Sequence, residues 1–400
     1  MKVLLVNKFL HPNGGSETYI FELGKMLQEL GHEVQYFGME HEKRCVGNMS
    51  NSYVDNMDFH TGKLQKMLYP FKIIYSVEAK RKIETVLNDF KPDVIHINNF
   101  NFQLTPSILY GINKYRKKEN RSVRIIYTAH DSQLVCPNHL MQIPSTGERC
   151  QRCLENDSIA CVKNKCIHNS AIKSILATLE NKVYNYLKIY ELFDTIICPS
   201  LFLKEKLDTN AILKKKTVVL HNFVSKENIV VDKKEDYVLF FGRYSKEKGV
   251  ETLVSVCNDL PQIKFYFAGA GPMEALIKKC PNIFNLGFLS GKELYSVIAK
   301  ARFSIFPSEC YENCPFTVME SQIYGTPVIA SRVGGTPELI KENVTGVLFE
   351  SGSVIELKDK IETLWEDEER QREYWEACKK VKFDDLYSYT EKILKIYRGE

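Results

Sequence analysis

The chain is predicted to be an α/β protein of two tandem, doubly wound parallel-sheet domains, and three observations predict it. Four hundred residues exceed the usual span of one hydrophobic core. The N-terminus reads strand, glycine-containing loop, helix, strand, which is how a parallel doubly wound sheet begins. A second series of short apolar strands, separated by helical stretches, starts at Tyr237 and runs to Phe349.

Residues 3–6 are an unbroken apolar strand, followed by a loop over 7–16 that carries Pro12, Gly14 and Gly15. Ile20, Leu23, Leu27 and Leu30 recur at helical spacing, Gly31 stops the helix, and 34–37 is the next strand. Gly15 therefore lies at the carboxyl end of a strand, where open α/β sheets bind ligands and where glycine lets backbone amides approach a phosphate. A bare turn is the competing reading. Between 38 and 90, Lys63, Lys66, Lys72, Lys80, Arg81 and Lys82 alternate with Leu64, Met67, Leu68, Phe71 and Ile74. A solvated helix over a core accounts for this pattern, and an anionic membrane surface is the rival account. Strands return at 94–97 and 124–128, with His96 read as core. The second of these ends in Thr128-Ala129-His130-Asp131, where His130 suits a bound sugar or a developing charge. Its structural alternative is a histidine satisfied by Asp131.

Five of the twelve cysteines, Cys136, Cys150, Cys153, Cys161 and Cys166, fall in one insertion. Cys150 and Cys153 are spaced to point two thiolates at one cation, and Cys161 with Cys166 is a looser pair. A structural zinc is expected, with His139 or His168 able to replace one sulfur; redox chemistry and incidental thiols are the alternatives. The first domain closes with a strand over 195–200, a helix from Leu201 and a strand leading to His221. It is bounded as 1–223, with a polar linker over 224–236, a second domain over 237–383 and a final helix over 384–400.

The second domain's first strand ends in Gly242-Arg243-Tyr244-Ser245-Lys246-Glu247-Lys248-Gly249. Arg243 offers a planar fork to phosphate oxygens and Lys248 a point charge. Gly269, Gly271 and Phe288 sit in two further turns at strand ends, candidates for the wall against a nucleotide base. The central stretch runs from Pro307 to Ser331 and holds Glu312 and Glu320. A helix from Phe316, stopped by Gly325, puts Glu312 just ahead of it and Glu320 two turns in, about 12 Å apart along the axis. That spacing fits a ligand hydroxylated at both ends with an anion between them, received by the amides of Phe316 and Thr317. A sugar, a diphosphate and a ribose have that layout.

Composition is ordinary for a globular protein, with 44% hydrophobic and 26% charged residues. A net charge of +4 spread over the chain does not argue for nucleic acid as a partner. The N-terminal apolar run is too short for a signal-peptide core and no segment is a membrane span, so a cytoplasmic protein with reduced cysteines is expected.

These residues resemble, over almost the whole chain, a family-four retaining glycosyltransferase of the GT-B fold, in which two Rossmann-like domains face across a cleft. The resemblance is carried by Gly14-Gly15, by residues 92–96, by Gly242-Arg243 with Lys248-Gly249, by residues 268–272, by the Glu312/Glu320 pair, and by residues 325–330 with Gly334-Gly335. It implies that Arg243 and Lys248 hold the diphosphate, Glu312 the sugar hydroxyls and Glu320 the ribose. It places Phe316 and Thr317 amides on the phosphates, Gly15 toward the diphosphate and His130 toward the sugar. Asn313 and Cys314 stand where many relatives have glycine and an aromatic. The cysteine insertion resembles one in a subset of the family, and that likeness implies Cys136, Cys150, Cys153 and Cys166 as the zinc ligands, with Cys161 the alternate. It also implies a last helix that crosses back onto the first domain.

A nucleoside-diphosphate sugar is then the expected co-substrate, with a glycan or lipid-linked acceptor. Cell-envelope polysaccharide assembly and peripheral contact with the inner membrane surface follow from the family. The two glutamates are too far apart to be a glycosidase pair, and no nucleophile is evident, so front-face transfer with retention and no divalent metal in catalysis is expected. The rival readings are a nucleotide-sugar epimerase or phosphorylase on the same architecture, and a non-enzymatic, zinc-stabilised binding protein.

Overall fold

The computed structural model describes residues 1–55, 74–119, 122–155, 157, 159–229, 231 and 233–400. Most of the basic, aromatic stretch between 63 and 74 lies outside the described residues. Lys80, Arg81 and Lys82 lie on the helix Val77–Phe90, where Lys82 Nζ is 2.8 Å from both Asp55 and Glu78. That helix is capped by the Ser76 hydroxyl, which accepts from the Ala79 amide, and it ends where Lys91 turns left-handed ahead of Pro92.

The chain divides into two compact units, Met1–Leu220 with Leu386–Glu400, and His221–Asp385. In the first unit, β1 (Lys2–Val6), β2 (Glu33–Phe37), β3 (Val94–Ile97), β4 (Arg124–Thr128), β5 (Thr195–Cys198) and β6 (Thr217–Val219) form a parallel sheet. Its order is β2-β1-β3-β4-β5-β6. Strand β3 is buried throughout, as a parallel strand covered on both faces must be. Connections that cross over in opposite directions leave a switch point between the carboxyl ends of β1 and β3.

The helix Leu386–Arg398 belongs to this unit and buries Tyr389, Ile393, Leu394 and Tyr397. The Tyr397 hydroxyl lies 2.7 Å from His96 Nδ1, and His96 Nε2 lies 2.7 Å from Thr128 Oγ1. Tyr19 and Tyr389 share a hydrogen bond of 2.9 Å beside them. Burial, aided by neighbouring His130, pushes the His96 pKa down to about 3, so a neutral ring bridges the last helix to the tip of β4.

The second unit has β7 (Glu235–Phe241), β8 (Phe265–Ala268), β9 (Ile283–Gly287), β10 (Ala301–Phe306), β11 (Val328–Ser331) and β12 (Gly346–Phe349). They form a parallel sheet ordered β12-β11-β10-β7-β8-β9, with its switch point between β7 and β10. The stretch 224–236, read from sequence as a linker, is part of this unit. Val224 is buried in its core and Lys234 Nζ donates to Ala299 O and Thr326 Oγ1, both at 2.8 Å. Its polar composition concealed these anchors because the contacts that hold it come from residues far along the chain. Among the described residues, no helix is long and apolar enough to cross a membrane.

Candidate functional site

The second unit's switch point is where the loop after β7 meets the loop after β10. Glu247 carbonyl oxygen accepts from the amides of Glu309 at 2.9 Å and Cys310 at 3.3 Å, which zips the two loops together. Gly249, at φ +71°, passes so close to the Pro307 carbonyl that any Cβ would collide with it. Gly334, at φ +58°, lies equally tight on the Glu312 backbone, and the Gly335 amide donates to Glu312 O at 2.7 Å. Lys248 and Glu312 are thereby brought together, Nζ to Oε1 at 2.5 Å. Ser308 Oγ donates to the same oxygen at 2.7 Å, and the Cys310 thiol points to it from 3.7 Å. Burial opposes the Lys248 charge, but Glu312, Cys310 and Glu247 outweigh it and the pKa is raised. Burial, with the Glu312 charge, pushes the Cys310 thiol up to about 11, which leaves it a poor nucleophile.

The helix Phe316–Ile323 follows Pro315, and no side chain caps its start. Asn222 holds the preceding turn: its amide lies 3.4 Å from Cys314 Sγ and its Nδ2 donates to Cys314 O at 3.3 Å. Cys314 is buried beside Met319, so at this departure from the family pattern the cysteine is a core residue and Asn313 is half-buried. Phe316 and Thr317 open the helix, and Glu320 lies within it, its pKa pushed up to about 7 by burial. Arg243, Gly242, Gly269 and Phe288 line one cavity of about 280 Å³ beside β7 and β8. Gly269 and Gly271 themselves press on the backbones of Gly242 and Tyr244, so closeness between turns explains these two glycines.

Gly15 and His130 are carried by the first unit. Gly15 starts the helix Gly15–Glu29, and Glu17 beside it is buried, accepting from Asn7 Nδ2 and Ser16 Oγ, both at 2.9 Å. His130 Nε2 lies 2.9 Å from Asn98 Oδ1, and Tyr19 meets the ring edge-on at 5.0 Å. His130 is thus bonded to Asn98, and Asp131 lies 3.9 Å from His139 Nδ1. Asn98 spends its own amide hydrogens on Val6 O and His96 O, both at 3.5 Å, so its oxygen must accept the His130 N–H. Burial pushes the His130 pKa down to about 4 and keeps the ring neutral. Sequence reasoning passed over Asn98; the available signal was a polar Asn98-Asn99 pair just past β3, at the sheet's switch point.

All five insertion cysteines, Cys161 included, line one small cavity of about 10 Å³. Burial raises the thiol pKa of Cys136 and Cys166 to about 12 and of Cys153 to about 11. As they stand, no group of three or more His, Cys, Asp or Glu among the described residues is arranged to hold a metal ion. His139, expected as a stand-in ligand, is instead bonded to Asn101 at 2.6 Å and stacked on Phe102. His168 is exposed and does not line the cavity.

A family model described as Glycosyltransferase Family 4 matches residues 13–228, and one described as Glycosyl transferases group 1 matches residues 223–381. An uncharacterised glycosyltransferase of Methanocaldococcus jannaschii is 30% identical over 209 residues, 51% of this chain and 58% of that protein. The sulfoquinovosyl transferase of Arabidopsis thaliana is 37% identical over 139 residues, 33% of this chain and 27% of that one. The chain thus spans little more than half, or about a quarter, of the length of these curated relatives. The Anabaena protein HepE, crystallised with UDP-glucose, superposes with a TM-score of 0.68 at 16% identity, covering 100% of both chains. That likeness establishes the two-domain, Rossmann-like GT-B fold.

Replacing Asn98 by Asp is expected to raise the His130 pKa, because a carboxylate stabilises the imidazolium that the amide does not. An NMR titration of the His130 ring checks this; a pKa unmoved by the substitution would mean that Asn98 does not set the state of the ring.

Proposed function

Because the chain belongs to Glycosyltransferase Family 4, we propose that it is a retaining transferase. It moves a hexose-type sugar from a nucleoside-diphosphate donor to a hydroxyl of a glycan or lipid-linked acceptor. The observation that carries this reading is the Lys248–Glu312 pair at the second unit's switch point, next to the uncapped start of Phe316–Ile323. Arg243 and Lys248 take the diphosphate, with the Phe316 and Thr317 amides adding donors at the positive end of the helix. Gly15, at the start of the helix Gly15–Glu29, is assigned to the diphosphate by the family resemblance. Glu312 accepts from the sugar hydroxyls, Asn313 sits beside it, and Glu320 accepts from the ribose. Gly242, Gly269, Gly271 and Phe288 shape the space for the base. His130, neutral and oriented by Asn98, hydrogen-bonds the sugar.

In the step itself the bond from the anomeric carbon to the diphosphate oxygen breaks, and the acceptor oxygen bonds that carbon on the same face. The acceptor proton passes to the departing diphosphate, whose charge Lys248 and Arg243 stabilise. Uridine diphosphate glucose, the ligand of HepE, is the first donor to try. An acceptor in cell-envelope polysaccharide assembly, met at the cytoplasmic face of the membrane, completes the reading.

A structural zinc in the insertion is part of this proposal: five sulfurs line one small cavity, and a cation there would reverse the rise in thiol pKa of Cys136, Cys153, Cys161 and Cys166. Cys136, Cys150, Cys153 and Cys166 would hold it, with Cys161 the alternate. It would tie down the insertion and take no part in the transfer.

Lys248→Ala should lower turnover by at least about 100-fold. It also leaves Glu312, only 14% exposed, without its cation. The double variant Lys248→Ala/Glu312→Gln should therefore regain melting temperature and stay inactive; full activity in either variant, or a product of inverted anomeric configuration, refutes the reading.

Glu320 supplies a pH test. Its folded pKa of about 7 lies above the usual carboxylate value, so the free protein is partly protonated there at neutral pH. Ribose hydroxyls donate to the ionised form. Nucleotide affinity should thus be full above pH 7 and fall by up to about tenfold per unit as pH drops below it. Calorimetry on Glu320→Gln should show that limb gone, and an unchanged profile would remove Glu320 from the ribose.

Elemental analysis should find one zinc per chain. Chelation should lower the melting temperature and leave nucleotide affinity intact, whereas metal-free protein of full stability would rule the ion out.

A further inference from the structure

The two carboxylate oxygens of Glu312 are not equivalent. Among the described residues, every group that hydrogen-bonds this carboxylate does so at Oε1: Lys248 Nζ at 2.5 Å, Ser308 Oγ at 2.7 Å and the Cys310 thiol at 3.7 Å. Oε2 has no partner among them, although only 14% of the side chain is exposed. A charged oxygen so nearly enclosed is costly to leave bare, and a ligand hydroxyl would satisfy it.

Of the three groups on Oε1, Ser308 is the one held in place. Lys248 is also the cation assigned to the diphosphate, so part of its hold on Glu312 passes to the phosphates when the nucleotide enters. Cys310 has one weak hydrogen to divide between Glu312 at 3.7 Å and Ser308 Oγ at 3.5 Å. Ser308 is fully buried just past the end of β10. Its carbonyl oxygen accepts from Ser331 Oγ, the last residue of β11, at 2.6 Å and from Ser351 Oγ, just past β12, at 3.0 Å. Neighbouring strand ends thus clamp it. Its hydroxyl has one hydrogen and two acceptors within reach, Glu312 Oε1 at 2.7 Å and Glu247 O at 3.3 Å. Glu247 O already receives two backbone amides, so the hydrogen goes to the nearer, charged acceptor. The last torsion of a glutamate is soft, and a bond to one oxygen is what fixes the direction of the other.

We propose that Ser308 is a positioning residue of the transfer site, pinning Glu312 Oε1 so that Oε2 alone is presented to a hydroxyl of the transferred sugar. Ser308 touches no substrate and acts only through Glu312. The role rests on the reading of Glu312 as the carboxylate that meets the sugar, and adds to it which oxygen does so and what holds it there.

The test is calorimetry of UDP and of UDP-glucose on the full chain, read as the ratio of the UDP-glucose Kd to the UDP Kd. A weakened hold on the sugar raises that ratio, whereas a loosened fold moves both constants together. Ser308→Ala should raise it about tenfold or more, with UDP affinity and melting temperature near wild type. Ser308→Cys, close in size and a weaker hydrogen-bond donor, should fall between wild type and alanine. Cys310→Ala should raise the ratio by no more than about threefold, as suits a weak thiol contact. In a Glu312→Ala background, Ser308→Ala should add nothing, because a residue that acts through Glu312 has no second route. Additive effects in that cycle, or equal losses of UDP and UDP-glucose affinity in Ser308→Ala, make the serine a structural residue only and overturn the proposal. So does a ratio that Glu312→Ala raises and Ser308→Ala leaves unchanged, an outcome that spares the reading of Glu312. A ratio that Glu312→Ala itself leaves unchanged removes Glu312 from the sugar and sinks that reading, with this one built on it.

Discussion

An ammonium and a carboxylate, Lys248 and Glu312, lie 2.5 Å apart at the point where the second sheet's strand order reverses, and the surrounding loops are shaped to keep them there. Two charges this close to the interior are costly to desolvate, and their attraction repays that cost only when the geometry is fixed. The fixing comes from backbone. Glu247 O receives two amides of the facing loop, Gly249 lets that loop pass at contact distance, and Gly334 and Gly335 press on Glu312 from the other side. Three separate stretches of sequence thus converge on Glu312, two on one carboxylate oxygen and the third on its backbone, and a ligand with a diphosphate would find a preformed cation beside an uncapped helix start.

The first unit solves a related problem with neutral groups. His96, Thr128, Tyr19, Tyr389 and Tyr397 form a buried hydrogen-bonded cluster that ties the last helix to the strand tips bearing His130. Burial keeps both His96 and His130 uncharged. The core of this unit is complete only with residues from the far end of the chain, which places Leu386–Glu400 with Met1–Leu220.

The insertion and the helix after it obey different demands from the sheets. The insertion gathers cysteines around a small cavity, and the following helix, Ala171–Tyr186, turns its most apolar side outward. Neither arrangement serves a hydrophobic core.

Strand positions, the loops that end them and the helix Phe316–Ile323 could all be read from the sequence, because apolar runs, glycine stops and helical spacing are local signals that tertiary packing rarely reverses. The residue types at the strand ends were equally legible, and they sufficed to name Arg243, Lys248, Glu312 and Glu320 as candidates. Which side chains meet was decided by the order of strands within each sheet, and that order is a long-range outcome. Asn98 reaches His130 only because β3 lies beside β4, Asn222 steadies Cys314 from 92 residues away, and the 224–236 stretch joins a core whose members lie far downstream. The outward turn of Ala171–Tyr186 had the same origin: its sequence shows an apolar stripe, and only the folded chain fixes which way that stripe points.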